Sequence, residues 1–310
     1  MTMRTLLCAG ALLCAAACAS GAGALVLQTD FGTKDGAVAA MKGVAVGVEA
    51  RLAIFDLSHE NTPYDIWEAA YRLRQTAPYW PAGTVFVSVV DPGVGTGRKA
   101  IVLETRSGQF FVSPDNGTLT LVAEALGEAA VREIDVVANR LPGSERSHTF
   151  HGRDVFAYAG ARLAAGVIAF GDVGPELKTG MVRLAHEKAR VEGGVLVGGI
   201  PALDVQYGNV WTDIGETLFA ECAPRLGERF KVTITCGGKS VYAGEMPYVR
   251  TFGEVPEGQP LLYLNSLMDV SLALNLRSFA ETYGIRAGAE WSVRIERAPR
   301  PADAAVRGQP

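Results

Sequence analysis

The sequence predicts a two-part chain, an α/β region with a largely parallel sheet followed by a smaller all-β region, and three observations predict it. From Leu25 to about Lys188, short apolar runs alternate with helix-like stretches, the pattern of strands crossing over through helices. After about Glu187 the runs are all short and are punctuated by Gly and Pro, as in small β domains. With 310 residues, 48% hydrophobic and 20% charged, the chain can bury two cores and is not a disordered polymer.

The first elements follow in order. Ala24–Thr29, Arg51–Asp56, Thr84–Val90 and Ala100–Glu104 read as strands, being Leu-rich or β-branched and bounded by turn residues. Gly36–Val48 and Tyr64–Thr76 read as helices; in the second, Ile66, Ala69, Ala70 and Leu73 fall on one face. In the second region, Val195–Ile200, Phe230–Cys236, Ser240–Ala243, Leu261–Leu264 and Trp291–Glu296 read as strands, separated by Gly237-Gly238, Pro256, Gly258 and Pro260. They predict a barrel-like arrangement. The expected organisation is residues 1–23 as a signal peptide, 24–188 as a Rossmann-like α/β domain, 189–297 as a β-barrel domain and 298–310 as a disordered tail.

The signal-peptide expectation rests on the N-terminus. Arg4 is the only charge before Asp30, Leu6 to Cys18 is an apolar run, and small residues from Ala19 to Ala24 follow. That is the layout of an export signal with its cleavage zone. Ala15-Ala16-Ala17-Cys18 also resembles a lipoprotein box, with Cys18 as the acylated residue. The five residues from Cys18 to the first strand span only about 17 Å when extended, so soluble export, periplasmic or secreted, is preferred. In an oxidising compartment Cys222 and Cys236 either pair or stay as two buried thiols. The net charge of −4 lacks the basic stripe of a nucleic-acid binder, and no apolar run after residue 30 is long enough to span a bilayer.

Ligands of open α/β sheets bind beyond the carboxyl ends of the strands. The first strand is followed by Thr29-Asp30-Phe31-Gly32-Thr33-Lys34-Asp35, the second runs into Asp56-Leu57-Ser58-His59, and the third into Asp91-Pro92-Gly93-Val94-Gly95-Thr96-Gly97-Arg98. An Asp there can cap a helix or start a turn, but three along one rim point to a site. The Gly-rich stretch is not a dinucleotide loop, because a strand and no helix N-terminus follows it. Walker and Gly-x-Ser-x-Gly motifs are missing. His148 and His151 stand three apart, but no further ligand pattern completes a zinc signature; neither metal nor cofactor is expected. Gly152 after His151 lets a ligand approach the backbone.

Taken together, Thr29-Asp30-Phe31-Gly32, Val89 to Gly95, Pro114-Asp115-Asn116-Gly117 and Thr149 to Asp154 resemble the SAM hydroxide adenosyltransferases. These are relatives of the fluorinase and chlorinase. Asp204 to Asp213 is similar to a later family block, with Tyr207 in place of Phe and Asp213 in place of Asn. The resemblance implies hydrolysis of S-adenosyl-L-methionine at the ribose 5′ carbon to adenosine and L-methionine. It implies a homotrimer with sites between one subunit's N-terminal domain and its neighbour's barrel.

It also implies that Asp91, Arg98 and His151 position and activate water; with an ordinary pKa of about 6.5, His151 can serve as the base near neutrality. Asp30 would bind the ribose diol, Tyr64 would pack beside it and Phe150 against the nucleoside. Asp35 and Asp204 would face the methionine ammonium, Asn209 would meet adenine with Tyr207 nearby, and Ser266 the methionine end. Leu267 and Ala37 depart from the halogenase pattern, which has Arg and Ser there. A halide-using adenosyl-halide synthase and an exported nucleoside-binding protein without turnover are the alternatives.

Overall fold

The computed structural model describes residues 23–299. All of the expected signal peptide except Gly23, and nearly all of the expected tail, lie outside the described residues.

The N-terminal region is built on one six-stranded sheet. Its strands are β1 (Ala24–Thr29), β2 (Ala53–Ser58), β3 (Val85–Val89), β4 (Ala100–Thr105), β5 (Phe110–Pro114) and β6 (Glu128–Glu133), in the order β2-β1-β3-β5-β4-β6. The pairs β2/β1, β1/β3 and β3/β5 are parallel, while β4 runs antiparallel to both β5 and β6. The sheet is therefore mixed, with its parallel half at the N-terminal strands.

Alternation along the strands decides what each face buries. Leu25, Leu27, Val85, Val87 and Val89 point into a core shared with Met41 and Ala45 of α1 (Ala37–Val48) and with Ala159, Ala161 and Ala164 of α4 (Tyr158–Ala164). Val26 and Phe86 point the other way. They meet Leu73 of α2 (Ile66–Thr76) and Val122 and Ala123 of α3 (Thr120–Leu126). Both faces are thus covered, as near-continuous apolar strands require. Helix α2 begins two residues later than expected, because Asp65 caps it by accepting from Glu68 N at 2.9 Å.

The C-terminal region contains β7 (Arg190–Glu192), β8 (Val195–Ile200), β9 (Ala202–Leu203), β10 (Val210–Gly215), β11 (Arg229–Cys236), β12 (Lys239–Pro247), β13 (Pro260–Leu264), β14 (Asp269–Leu274) and β15 (Gly288–Arg297). Two short helices interrupt them, α5 (Glu216–Ala220) and α6 (Phe279–Tyr283). The strands form two antiparallel sheets, β12-β11-β15-β8-β7 and β13-β14-β10-β9. Leu196, Val210, Val232, Leu272 and Val293 fill the core they share.

No closed barrel exists among the described residues, contrary to expectation. Closure needs the edge strands to pair, and here the edges β7 and β9 are only three and two residues long. Cys222 and Cys236 are free thiols.

Helix α2 fastens the two regions together. Trp67 Nε1 donates to Pro201 O at 2.9 Å, and Arg74 reaches the buried Asp269 carboxylate at 3.1 Å through each terminal nitrogen.

Candidate active site

The ends of β1, β2 and β3 bring the expected rim residues together. Immediately past β3, the chain turns through Gly93 to Gly97 and returns Arg98 onto Asp91. Arg98 Nε donates to Asp91 Oδ1 at 2.8 Å, and Nη2 donates to Oδ2. This two-point clamp is almost dry, with the Asp91 and Arg98 side chains 5% and 12% exposed. The Arg98 guanidinium also lies over the Phe156 ring, 5.0 Å from its centroid.

His151 completes the group. Its Nδ1 is 3.3 Å from Arg98 Nη2. A guanidinium only donates, so Nδ1 accepts and the neutral ring carries its proton on Nε2. Burial first, then the charges of Arg98 and Arg140, hold His151 below the ordinary histidine pKa, with Asp91 and Asp154 opposing them in part. The ring is therefore neutral near pH 7 and presents an N–H at Nε2. In that tautomer the ring offers the site a donor at Nε2, with its one lone pair turned to Arg98.

His151 precedes a π-helical turn, Gly152–Ala157, that runs into α4. A Cβ on Gly152 would meet the Phe31 ring at 3.0 Å, so a larger residue there would require the ring to give way. Phe31 in turn packs edge-on against Phe150 with centroids 5.8 Å apart, while Arg153 covers Phe150 at 4.8 Å.

Asp30 stands at the end of β1. Its Oδ2 accepts from Tyr64 N at 2.9 Å, and Tyr64 has φ 68°, a left-handed conformation rare for an aromatic residue. The Tyr64 ring is mostly exposed. Asp35 accepts from Ala37 N at 2.9 Å, at the start of α1. These residues, with Asp91, Arg98, Phe150 and His151, belong to the N-terminal region.

The other expected residues lie in the C-terminal region. Asp204, Tyr207, Asn209 and Ser266 line one cleft of about 700 Å³ together with Trp211 and Tyr263. Asp204 is largely committed to its own turn: Oδ1 accepts from Gln206 N and Tyr207 N, both at 3.3 Å, and Oδ2 accepts from Asn209 Nδ2 at 3.1 Å. The side-chain oxygen of Asn209 has no hydrogen-bond partner among the described residues. Leu267 donates its backbone N–H to Asn265 Oδ1 at 2.8 Å, so the segment after Ser266 is fixed through Asn265. The lining of this cleft contains no residue of the N-terminal region.

Residues outside the quoted motifs also shape the site. Arg140 donates to Ser144 O at 2.8 Å and to Ser147 O, and no sequence signal marks it. Trp211, within the Asp204–Asp213 block, lines the cleft as well.

Comparison with known proteins places the chain in a family. The family model for the SAM hydroxide adenosyltransferase N-terminal domain matches residues 25–174, and that for the C-terminal domain matches residues 198–292. The chain belongs to the SAM hydroxide adenosyltransferase family. An (R)-S-adenosyl-L-methionine hydrolase from Salinispora tropica is 37% identical, covering 84% of this chain and 93% of that one. One of the same name from Methanocaldococcus jannaschii is 44% identical, and that match spans 54% of this chain and 61% of the relative. Fluorinases match at 27–30% identity. A crystal structure of an uncharacterized conserved protein from Thermotoga maritima superposes with a TM-score of 0.80 at 34% identity, covering 88% of this chain and all of that one.

Proposed function

We propose that the protein hydrolyses S-adenosyl-L-methionine at the ribose 5′ carbon, giving adenosine and L-methionine. The observation that carries this is the Arg98 guanidinium, which holds Asp91 by two hydrogen bonds and His151 by a third. The hydrolase names of the relatives matched at 37–44% identity support the same substrate.

The substrate is a sulfonium, so methionine leaves as a neutral thioether and needs no acid. Water forms the new C–O bond as the C–S bond breaks, and it must lose one proton. His151 Nε2–H orients the water oxygen, and Asp91, which can only accept when ionised, receives the proton. Arg98 stays charged and positions both groups. Placing water in line behind the carbon supplies much of the acceleration. Asp30 keeps one oxygen for the ribose diol, and Tyr64 and Phe150 flank the nucleoside. Asp35, Asp204, Asn209, Tyr207 and Ser266 are assigned to the methionine and adenine ends.

The two sets of residues come from different regions, which supports a homotrimer whose sites are completed across subunits. The N-terminal pattern supports export of the mature chain.

Incubation with the substrate, followed by mass spectrometry with and without halide, tests the reaction. Adenosine and methionine in equal amounts are expected. A haloadenosine would replace this reading with halide transfer, and binding without turnover would leave a nucleoside-binding protein.

A further inference from the structure

The chemistry above makes no use of Asp56-Leu57-Ser58-His59, although this segment ends the strand beside β1. His59 is buried, at 5% exposure. Its Nδ1 lies 2.8 Å from Thr29 Oγ1 and its Nε2 lies 3.0 Å from Asp56 Oδ1. Asp56 Oδ2 accepts from Lys42 Nζ at 2.7 Å. At the other end, Thr29 Oγ1 accepts from Phe31 N at 3.2 Å, and the His59 carbonyl accepts from Gly32 N at 2.7 Å.

One assignment of protons satisfies the chain. The ionised Asp56 can only accept, so His59 carries its proton on Nε2. Nδ1 then accepts the Thr29 hydroxyl proton, which leaves an Oγ1 lone pair for the Phe31 amide. A line of hydrogen bonds therefore runs from Lys42 through Asp56, His59 and Thr29, and it grips the turn on both sides of Asp30. Thr29 is fully buried, so its hydroxyl is no nucleophile. An apolar pair would fill the space without desolvating a histidine, whereas a satisfied polar chain fixes direction.

We propose that His59 is a positioning residue for the nucleoside end of the site. Through Thr29 it holds the Thr29–Gly32 turn so that the Asp30 carboxylate faces the ligand. This rests on the reading of Asp30 as the ribose acceptor.

The test is a set of substitutions made in the native sequence and again with Asp30→Ala. Thr29→Val removes only the hydroxyl, Thr29→Ser restores it, and His59→Phe fills the ring space without either nitrogen. Asp56→Asn alters the half-exposed end of the chain and leaves the packing alone. KM and kcat are measured with S-adenosyl-L-methionine, the adenosine Kd by calorimetry, and folding by thermal melting.

Thr29→Val and His59→Phe should raise KM and the adenosine Kd about tenfold, the effect of losing a buried hydrogen bond. They should leave kcat within about twofold, because His59 reaches the ligand only through Asp30. Asp56→Asn should act in the same direction, and Thr29→Ser should recover native values. With Asp30→Ala already present, none of them should add a further loss.

Unchanged KM in folded Thr29→Val and His59→Phe overturns the proposal, as does an equal loss with and without Asp30. If either buried variant fails to fold, Asp56→Asn decides by the same comparison. If Asp30→Ala alone leaves KM and Kd unchanged, it is the ribose reading that has failed, and that outcome is seen before any His59 variant is interpreted.

Discussion

At the scale of single residues, the decisive atom is His151 Nδ1. It faces Arg98 Nη2 at 3.3 Å, and two donors do not make a hydrogen bond, so the ring proton sits on Nε2. In the proposed reaction this makes His151 the donor to water, in place of the expected base, and gives Asp91 the acceptor's role. The variants separate the two roles. His151→Ala should lower kcat about 100- to 1,000-fold, the usual effect of losing a preorganised donor. His151→Gln, which keeps an N–H on a longer arm, should retain clearly more turnover than His151→Ala; equal loss in both would restore the base role. Asp91→Asn keeps shape and removes the acceptor, and should cost about 100- to 10,000-fold. Asp30→Ala should weaken adenosine binding in calorimetry, with a smaller change in kcat. Single-turnover product chromatography separates these effects from changes in product release.

At the scale of elements, the π-helical turn Gly152–Ala157 and the loop before it act as one unit. The fully buried Asp154 accepts from Arg153 Nε at 2.6 Å, and its backbone carbonyl accepts from Leu141 N at 2.8 Å. Arg140 fastens the same loop through Ser144 and Ser147. π-helical turns are frequent at functional sites, and this one aims His151 at the Arg98 clamp.

The cluster also sets the pH response. Burial and the positive charges of Arg98 and Arg140 lower the His151 pKa, so the ring stays neutral below its usual ~6.5. On protonation, Nδ1 gains a hydrogen that opposes Arg98, and the rate falls. The acid limb of kcat/KM should therefore have its midpoint below about 6.5. Arg140→Gln removes one positive charge and eases protonation, so its midpoint should move up. A midpoint that stays in place or moves down in that variant would mean Arg140 is not felt at His151.

At the scale of the whole molecule, the candidate residues fall into two separate groups. The rim of β1 and β3 carries Asp30, Asp91 and Arg98 with His151 beside them, and the cleft beside Asn209 is lined by the C-terminal region. Large exposed side chains stand beside both: Tyr64 at 72% and Tyr207 at 69% exposure. Solvent-facing aromatics suit surfaces that another chain covers. Light scattering should give the mass of three chains. A sharper measurement mixes two inactive proteins, Asp91→Asn and Asp204→Ala, under conditions that exchange subunits. If sites are shared, some mixed assemblies contain an intact half from each chain and activity returns. Mixtures as inactive as either parent, after exchange is verified by mass, would confine each site to one chain.

Much of this was legible in the sequence, for a definite reason. Strand β1 was readable to the residue, because a strand buried on both faces is a short apolar run ended by a turn. The candidate residues were equally legible, since Asp30, Asp91, Arg98 and His151 sit in compact blocks whose Gly and Asp spacing is specific. Those local patterns determined the α/β-then-β order, the family and the substrate class. What they left open depended on contacts between distant segments. The antiparallel β4 and, among the described residues, the absence of barrel closure follow from which strands pair, and a run of apolar residues does not encode its partner. The same holds for protons. That His151 donates, and that His59 is locked between Thr29 and Asp56, depends on atoms brought together across 53, 30 and 3 positions of the chain. Residue type fixes which groups can exchange a proton, but only the tertiary structure decides which nitrogen faces a donor.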